Sequence, residues 1–313
     1  MIRDNEKIKI VFIGGVKFSH EILSHIIEKG WIISALFTYE EYKKNLYSDF
    51  ASFDVISKKS QILRHIKVNN INDEENLRVI KEINPDLILV MGWSQLLKND
   101  IIDIPRLGVI GSHPTELPKY RGRSPIPWSI IKNLKESALT FFYIQNGVDN
   151  GDILDQKKFS INENDNATII YNKIIQIGKE LLEKNLLLIE ENKSKRIKQD
   201  ESQFIENWPK RNPEDGLIDW NNDSKSIHRL IRATTTPYPG AFTYLKGKKL
   251  TIWDADYNLK EDGEPGIILQ MLPLVKVGTG NGILIIKHTS YGDEQISNIR
   301  NIFSINDIGE KLG

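Results

Sequence analysis

As far as Glu191, short apolar runs alternate with amphipathic stretches. Ile8 to Ile13 is β-branched and apolar and ends at Gly14-Gly15, which reads as a buried strand feeding a tight turn. Residues 18–29 place Ile22, Leu23, Ile26 and Ile27 at helical spacing and stop at Gly30. Trp31 to Thr38 reads as a second strand, and the polar, aromatic stretch from Glu40 to Phe53 as a loop. A short strand at Ile66–Val68, a helix over 72–83 and strands at Asp86–Met91 and Leu107–Ile110 follow. Pro125 to Leu134 opens a helix, and Ala138 to Ile144 is a strand. Asn166–Glu191 carries apolar residues at 169, 170, 174, 177, 181 and 182, the longest helical pattern in the chain. Strand–helix alternation of this kind predicts an α/β fold, a mostly parallel sheet with helices on both faces.

The pattern changes after residue 192. Lys193 to Glu201 is a charge run and reads as a solvated linker. Beyond it, Ala241–Tyr244, Lys249–Trp253, Gly266–Leu269, Leu274–Val277 and Gly282–Ile286 are short strand candidates separated by turn residues, as in a small β barrel or sandwich. The expected organisation is a catalytic α/β domain over 1–192, a linker and helical segment over 193–240, and a small β-rich module over 241–313.

Composition narrows the chemistry. The 42 Lys and Arg balance the 42 Asp and Glu, so the chain has no excess charge for general binding to nucleic acid. Cysteine is absent and the six histidines lack ligand spacing, so no metal site is expected. The polar start, Met1 to Lys7, does not read as a signal peptide, and no apolar run approaches the ~20 residues that span a bilayer. A cytoplasmic protein without a membrane partner is expected. Gly14-Gly15 does not match a dinucleotide fingerprint, and a strand-to-helix turn explains it.

Residues 113–128 are the most informative stretch. Four prolines and a glycine, with His113, Lys119, Arg121 and Arg123 among them, make a stiff cationic loop at the carboxyl end of a buried strand, where open α/β sheets place ligands. A second loop, Gly147-Val148-Asp149-Asn150-Gly151-Asp152, follows the strand ending near Ile144. It reads either as a plain turn or as the source of a carboxylate. If the two strands are neighbours, His113 and Asp149 leave the same edge, and a carboxylate beside an imidazole fixes its tautomer for acid/base or oxyanion work.

The run from Gly111 to Trp128, with Gly147 to Ile153 at its distance, resembles the signature of the formyltransferases that use 10-formyltetrahydrofolate, a family that includes methionyl-tRNA formyltransferase and the sugar-nucleotide N-formyltransferases. Asn212 to Trp220 and Arg232 to Phe242 resemble later segments of the same family. The resemblance covers roughly residues 8 to 255 and implies a Rossmann-like catalytic domain. It puts the family's catalytic histidine on His113 and its aspartate on Asp149. The family's asparagine, two residues before the histidine, falls on Gly111, a departure that removes a side-chain donor; Ser112, Ser124, Asn150, a backbone N–H or a water are the candidates to replace it.

The resemblance implies attack of a neutral amine on the formyl carbon. His113 stabilises the resulting oxyanion or relays protons. Asp149 orients the imidazole and removes the amine proton. No metal is required. The cofactor site is expected at Met91, Gly92, Trp93 and Leu96, with Gly111, Asn150 and Asp152. The acceptor is expected to meet Tyr47, Ser48 and Asp49, the loop residues Lys119, Tyr120, Arg121 and Arg123, and a nucleobase-stacking turn at Thr236 and Tyr238. Arg121 and Arg123 are open to a diphosphate or to a carboxylate that pins the loop. Zero net charge, with Asp262, Glu264, Asp293, Glu294 and Asp307 among the C-terminal lysines, favours a nucleotide-linked amino sugar for cell-surface glycan synthesis over tRNA. Methionyl-tRNA formyl transfer and non-catalytic binding of folate or a nucleotide sugar are the alternatives, and a homodimer is an expectation by analogy.

Overall fold

The structure, a computed structural model, describes residues 8–62, 64–292 and 302–313. Met1 to Lys7, Asp293 and Glu294 lie outside the described residues. The chain divides into two compact units, one of residues 1–125, 136–160 and 171–208, the other of 126–135, 161–170 and 209–313.

The first unit begins with β1 (Ile10–Gly14), α1 (Lys17–Glu28), β2 (Ile33–Tyr39), α2 (Asp54–Lys59), β3 (His65–Val68), α3 (Glu74–Ile83), β4 (Leu87–Met91), α4 (Asn99–Ile102) and β5 (Val109–His113). Next come β6 (Tyr120–Gly122), then α5 (Pro125–Ile131), which from Ile126 on belongs to the second unit, then β7 (Glu136–Tyr143), β8 (Ile153–Ser160), α6 (Ala167–Glu190), whose residues up to Ile170 also belong to the second unit, and β9 (Glu206–Trp208). Seven strands form one sheet in the order β3-β2-β1-β4-β5-β7-β8. The five from β3 to β5 are parallel, while β7 runs antiparallel to both β5 and β8. All of β1 and β4 is buried, because helices cover both faces, and this is why those strands read as unbroken apolar runs. Val11, Ile13, Phe37, Ile88 and Val90 pack on one face with Ile80 of α3 and Ile101 of α4. On α6, a Cβ at Gly178 would lie 2.9 Å from Ile22, so α1 and α6 touch closely there.

Several boundaries differ from the sequence reading. β5 runs on through His113, so the histidine ends a strand rather than opening a loop. The proline stretch contains β6, which pairs in parallel with β9. The sequence reading has no strand at β8: Asp155, Lys157 and Lys158 hide its apolar positions.

The second unit holds α7 (Ser224–Thr234), β10 (Ala241–Leu245), β11 (Lys248–Asn258), β12 (Ile268–Gln270), β13 (Val275–Gly278) and β14 (Ile283–Tyr291). Its strands form an antiparallel sheet in the order β10-β11-β14-β13-β12. Ile227 and Ile231 of α7 share a core with Ile252, Val277, Leu284 and Ile286. Helix α7, expected in the connecting segment, is therefore part of this unit's core. The Asp223 carboxylate caps it, accepting from Ser226 N at 2.9 Å. No helix among the described residues is long and apolar enough to cross a membrane.

On α7, His228 is buried and its ring lies 5.2 Å from that of Tyr257. Burial, with Arg232 adding to it and Asp254 and Asp256 opposing, lowers the imidazole to about 4. The unfolded chain takes up this proton near 6.5, so below that pH the unfolded state binds more protons and stability falls until about pH 4. Between pH 7 and pH 4.5 the shift corresponds to about 2–3 kcal/mol. In His228→Gln, urea melts at pH 7 and pH 4.5 are expected to differ by less than those of the parent by about that amount; an unchanged difference would refute the assignment.

Candidate active site

The end of β5 and the loop after β7 bring the two candidate side chains together. His113 pairs with Thr140 in the β5–β7 ladder, and Gly111 with Phe142. His113 is 5% exposed, and its Nδ1 lies 3.6 Å from Asp149 Oδ2. That is beyond a direct hydrogen bond and within the range that tightens when a ligand binds. The other ring nitrogen, Nε2, is buried and has no partner. An orphaned imidazole nitrogen beside a carboxylate-facing one is a group prepared to bind or protonate a ligand atom.

Asp149 is fixed from three directions. Its Oδ2 accepts from Gly122 N of β6 at 3.0 Å. Its backbone takes φ 50°, a left-handed conformation that aspartate tolerates. Gln199 Nε2 donates to Asp149 O at 2.8 Å and to Gly151 O at 2.7 Å. Gln199 is held in turn by Arg121 Nη2 at 2.7 Å, and Arg121 makes a two-pronged ion pair with Glu201 at 2.6 and 3.1 Å. Position 151 demands glycine: a Cβ there would lie 1.7 Å from Tyr143 O. The loop on the histidine side is tied as well, with Thr140 Oγ1 donating to Thr115 O at 2.7 Å and Gln156 Nε2 donating to Leu117 O at 3.1 Å.

Comparison with known proteins decides the family. The formyl transferase profile matches residues 8–186, and that of the formyl transferase C-terminal domain matches 210–306. The chain belongs to the formyl transferase family. It is 35% identical over 302 residues to the bifunctional polymyxin resistance protein ArnA of Wigglesworthia glossinidia brevipalpis, spanning 94% of this chain and 45% of that one, less than half the length of that relative. It is 33% identical over 291 residues to methionyl-tRNA formyltransferase of Clostridium tetani, spanning 90% and 92%. The N-formyltransferase of Helicobacter canadensis, solved with folinic acid and dTDP-3-aminofucose, shares the fold at a TM-score of 0.66 and 20% identity, over 90% of this chain and all of that one.

In this formyl transferase the remaining candidate residues fall into distinct surroundings. Arg121, open to a diphosphate or a carboxylate on sequence, is spent on Glu201 and Gln199 and is buried. Lys119 pairs with Glu116 at 2.9 Å. Tyr120 stacks on Trp208 with ring centroids 4.7 Å apart. Arg123 is exposed and makes no ion pair among the described residues, which leaves it as the loop's available cation. Asp49 turns inward, accepting from Tyr171 at 2.7 Å, and burial pushes its carboxyl up. Ser48 is exposed. Tyr47 and Trp93 sandwich Tyr39, with centroids at 4.5 and 3.9 Å, and Ser94 Oγ links the two tyrosine hydroxyls at 2.7 and 2.9 Å. The expected acceptor loop and the expected cofactor strand end are thus one aromatic stack.

Within that strand end, Met91 is fully buried and Trp93 Nε1 is buried without a partner. Gly92 has φ 55°, and a Cβ there would lie 2.5 Å from Val16, so its close neighbour is that side chain. Leu96 is exposed. Asn150 folds its amide back on Asn146 O at 3.1 Å, and Asp152 O accepts from Tyr143 N at 2.8 Å. Thr236 and Tyr238 belong to the second unit, where Thr168 donates its hydroxyl to Thr236 O and Tyr238 N donates to Thr235 O at 3.1 Å.

The departure at Gly111 has a packing counterpart. A Cβ there would lie 2.9 Å from Ile144 Cγ1 and Cδ1 and 3.3 Å from Phe142, so Ile144 fills the space that a side chain would need. Ser112 is no substitute donor, because strand alternation turns it to the face opposite His113. Sequence reasoning missed Gln199, Glu201 and Ile144; the first two sit in the charge run that read as a linker.

Gln199→Glu keeps an acceptor for Arg121 and removes both donors to the Asp149 loop. With two buried carbonyls left unpaired at about 1–3 kcal/mol each, melting temperature and formyl-transfer kcat are both expected to fall, kcat by roughly tenfold or more; an unaltered kcat would rule out the clamp. Gly111→Asn alone is expected to be strained against Ile144, whereas Gly111→Asn with Ile144→Ala restores a donor worth up to ~3–4 kcal/mol in the transition state and should raise kcat above that of the single variant. Equal rates for the two variants would sink the packing argument.

Proposed function

We propose that this formyl transferase moves the formyl group of 10-formyltetrahydrofolate to the amine of a nucleotide-linked amino sugar. The residues fit that cosubstrate: His113 carries a buried ring nitrogen with no protein partner, and Trp93 carries a second orphaned donor at the end of β4. The cosubstrate supplies the activated formyl group. His113 Nε2 holds or protonates the formyl oxygen, and Asp149, 3.6 Å from Nδ1, keeps the ring in its working orientation and takes the amine proton directly or through water. Burial of the histidine excludes water from that nitrogen.

The observation that carries the choice of acceptor is electrostatic. The chain is neutral overall, and of the three cations in the proline loop Lys119 and Arg121 are paired, leaving Arg123. One free cation suits a diphosphate, and a tRNA backbone needs many. The Helicobacter protein, of similar fold, was solved with such a sugar nucleotide. Methionyl-tRNA formyl transfer is the second reading, favoured by the Clostridium relative, matched over 92% of its length.

A single-turnover assay with 10-formyltetrahydrofolate, a panel of nucleotide-linked amino sugars and charged initiator tRNA separates the two. Formylation of at least one sugar nucleotide is expected, with kcat reduced at least about a hundredfold in a folded His113→Ala protein. Turnover of tRNA alone, with binding that weakens steeply as salt rises, would overturn the acceptor; full activity in His113→Ala would overturn the role of the histidine.

A further inference from the structure

The second unit contains a cavity of about 540 Å³. Its size suits a small organic ligand. Arg232 of α7 lines it and is 92% buried, being 8% exposed. The guanidinium donates from Nη1 to Asp165 O, while its Nε has no partner. Among the described residues no carboxylate stands within ion-pair distance of it. The acids around the cavity are engaged elsewhere: Asp256 pairs with Lys287 at 2.7 Å, Asp254 Oδ2 lies 3.5 Å from His288 Nδ1, and Glu163 accepts from Tyr257 at 2.9 Å. A buried guanidinium cannot shed its proton at any ordinary pH, so it calls for a counter-charge.

The rest of the lining is chemistry for a hydroxylated body. Trp253 presents an aromatic surface with its N–H already given to Ser290 Oγ at 3.0 Å. Thr235, Asn164 and Asp254 face the same space with hydroxyl, amide and carboxylate groups. His228 lines it beside Arg232. Aromatic surface plus short polar side chains around a cation without a counter-charge, the other lining cation Lys287 being paired with Asp256, is the lining expected for a sugar ring bearing an acid group.

We propose that this cavity is a second ligand site, binding a monosaccharide-sized, hydroxylated anion with its phosphate or carboxylate on Arg232 and its ring against Trp253. Every lining residue lies in the second unit, Thr236, expected from the sequence to meet the acceptor, among them. Isothermal titration of the full chain with glucose 6-phosphate, glucuronate, glucose and inorganic phosphate tests it. At least one of the two anionic sugars is expected to bind with Kd of about 1 mM or tighter, and glucose and inorganic phosphate each at least about tenfold more weakly; which anion wins identifies the acid group. Arg232→Met should abolish binding. Thr235→Val, which preserves shape should the arginine variant fail to fold, should weaken it about threefold or more, the loss of one hydrogen bond. No heat from either anionic sugar at ~10 mM, binding of phosphate as tight as that of the sugars, or wild-type affinity in Thr235→Val would overturn the proposal. Binding is expected to survive in His113→Ala; its loss there would move the ligand to the formyl-transfer site and also overturn it.

Discussion

Everything that makes His113 and Asp149 a pair depends on the three-residue strand β6. Gly122 gives its N–H to the Asp149 carboxylate, and Arg121 next to it holds Gln199, whose amide holds the backbone on either side of Asn150. The aspartate is thus fixed at its carboxylate and at its main chain by two neighbours on one strand. β6 is itself held by β9 through parallel pairing and by the Tyr120–Trp208 stack. A loop in left-handed geometry at Asp149 would otherwise sample many conformations, and the chain of charge-assisted bonds from Glu201 inward selects one. Positioning of this type, rather than an unusual side chain, is what separates a reactive pair from two residues that happen to be close.

The sequence made part of this legible. Strand periodicity placed β1, β2 and β4, since buried parallel strands are continuous apolar runs. His113 stood out in the proline-rich stretch, whereas Asp149, in a loop that read equally as a plain turn, was singled out by the family resemblance. The clamp was hidden for a physical reason. Arg121 and Gln199 are 78 residues apart, and a hydrogen bond at that separation leaves no local pattern. Gln199 also lies inside a run of charges, and such runs are normally solvated. Strand β8 was hidden because the last strand of a sheet has one neighbour and carries charge on its exposed positions.

The aromatic stack shows a different limit. Tyr47, Tyr39 and Trp93 come from three separate segments, and sequence alone assigned two of them to different ligands. The rings bind each other first, with Ser94 bridging the hydroxyls, and the buried Tyr39 hydroxyl is held protonated by desolvation. The expected acceptor contact Tyr47 and the expected cofactor contact Trp93 are joined through Tyr39 by ring packing as well as by the Ser94 hydroxyl bridge.

Gly111 gives that economy a chemical edge. Where the family resemblance puts an asparagine, this chain has glycine, and Ile144 occupies the freed space. An apolar side chain there cannot donate to an oxyanion, and His113 on the same strand β5 is itself buried. Water exclusion raises the worth of each remaining electrostatic contact, because charge interacts more strongly in a lower dielectric. In the proposed reaction, oxyanion stabilisation would then fall to His113, whose Nε2 has no partner in the structure. A site with one strong donor in a dry setting and a clamped carboxylate behind it is a coherent alternative to one with two donors and more solvent. The glycine and the isoleucine are therefore one feature, and neither can be interpreted without the other.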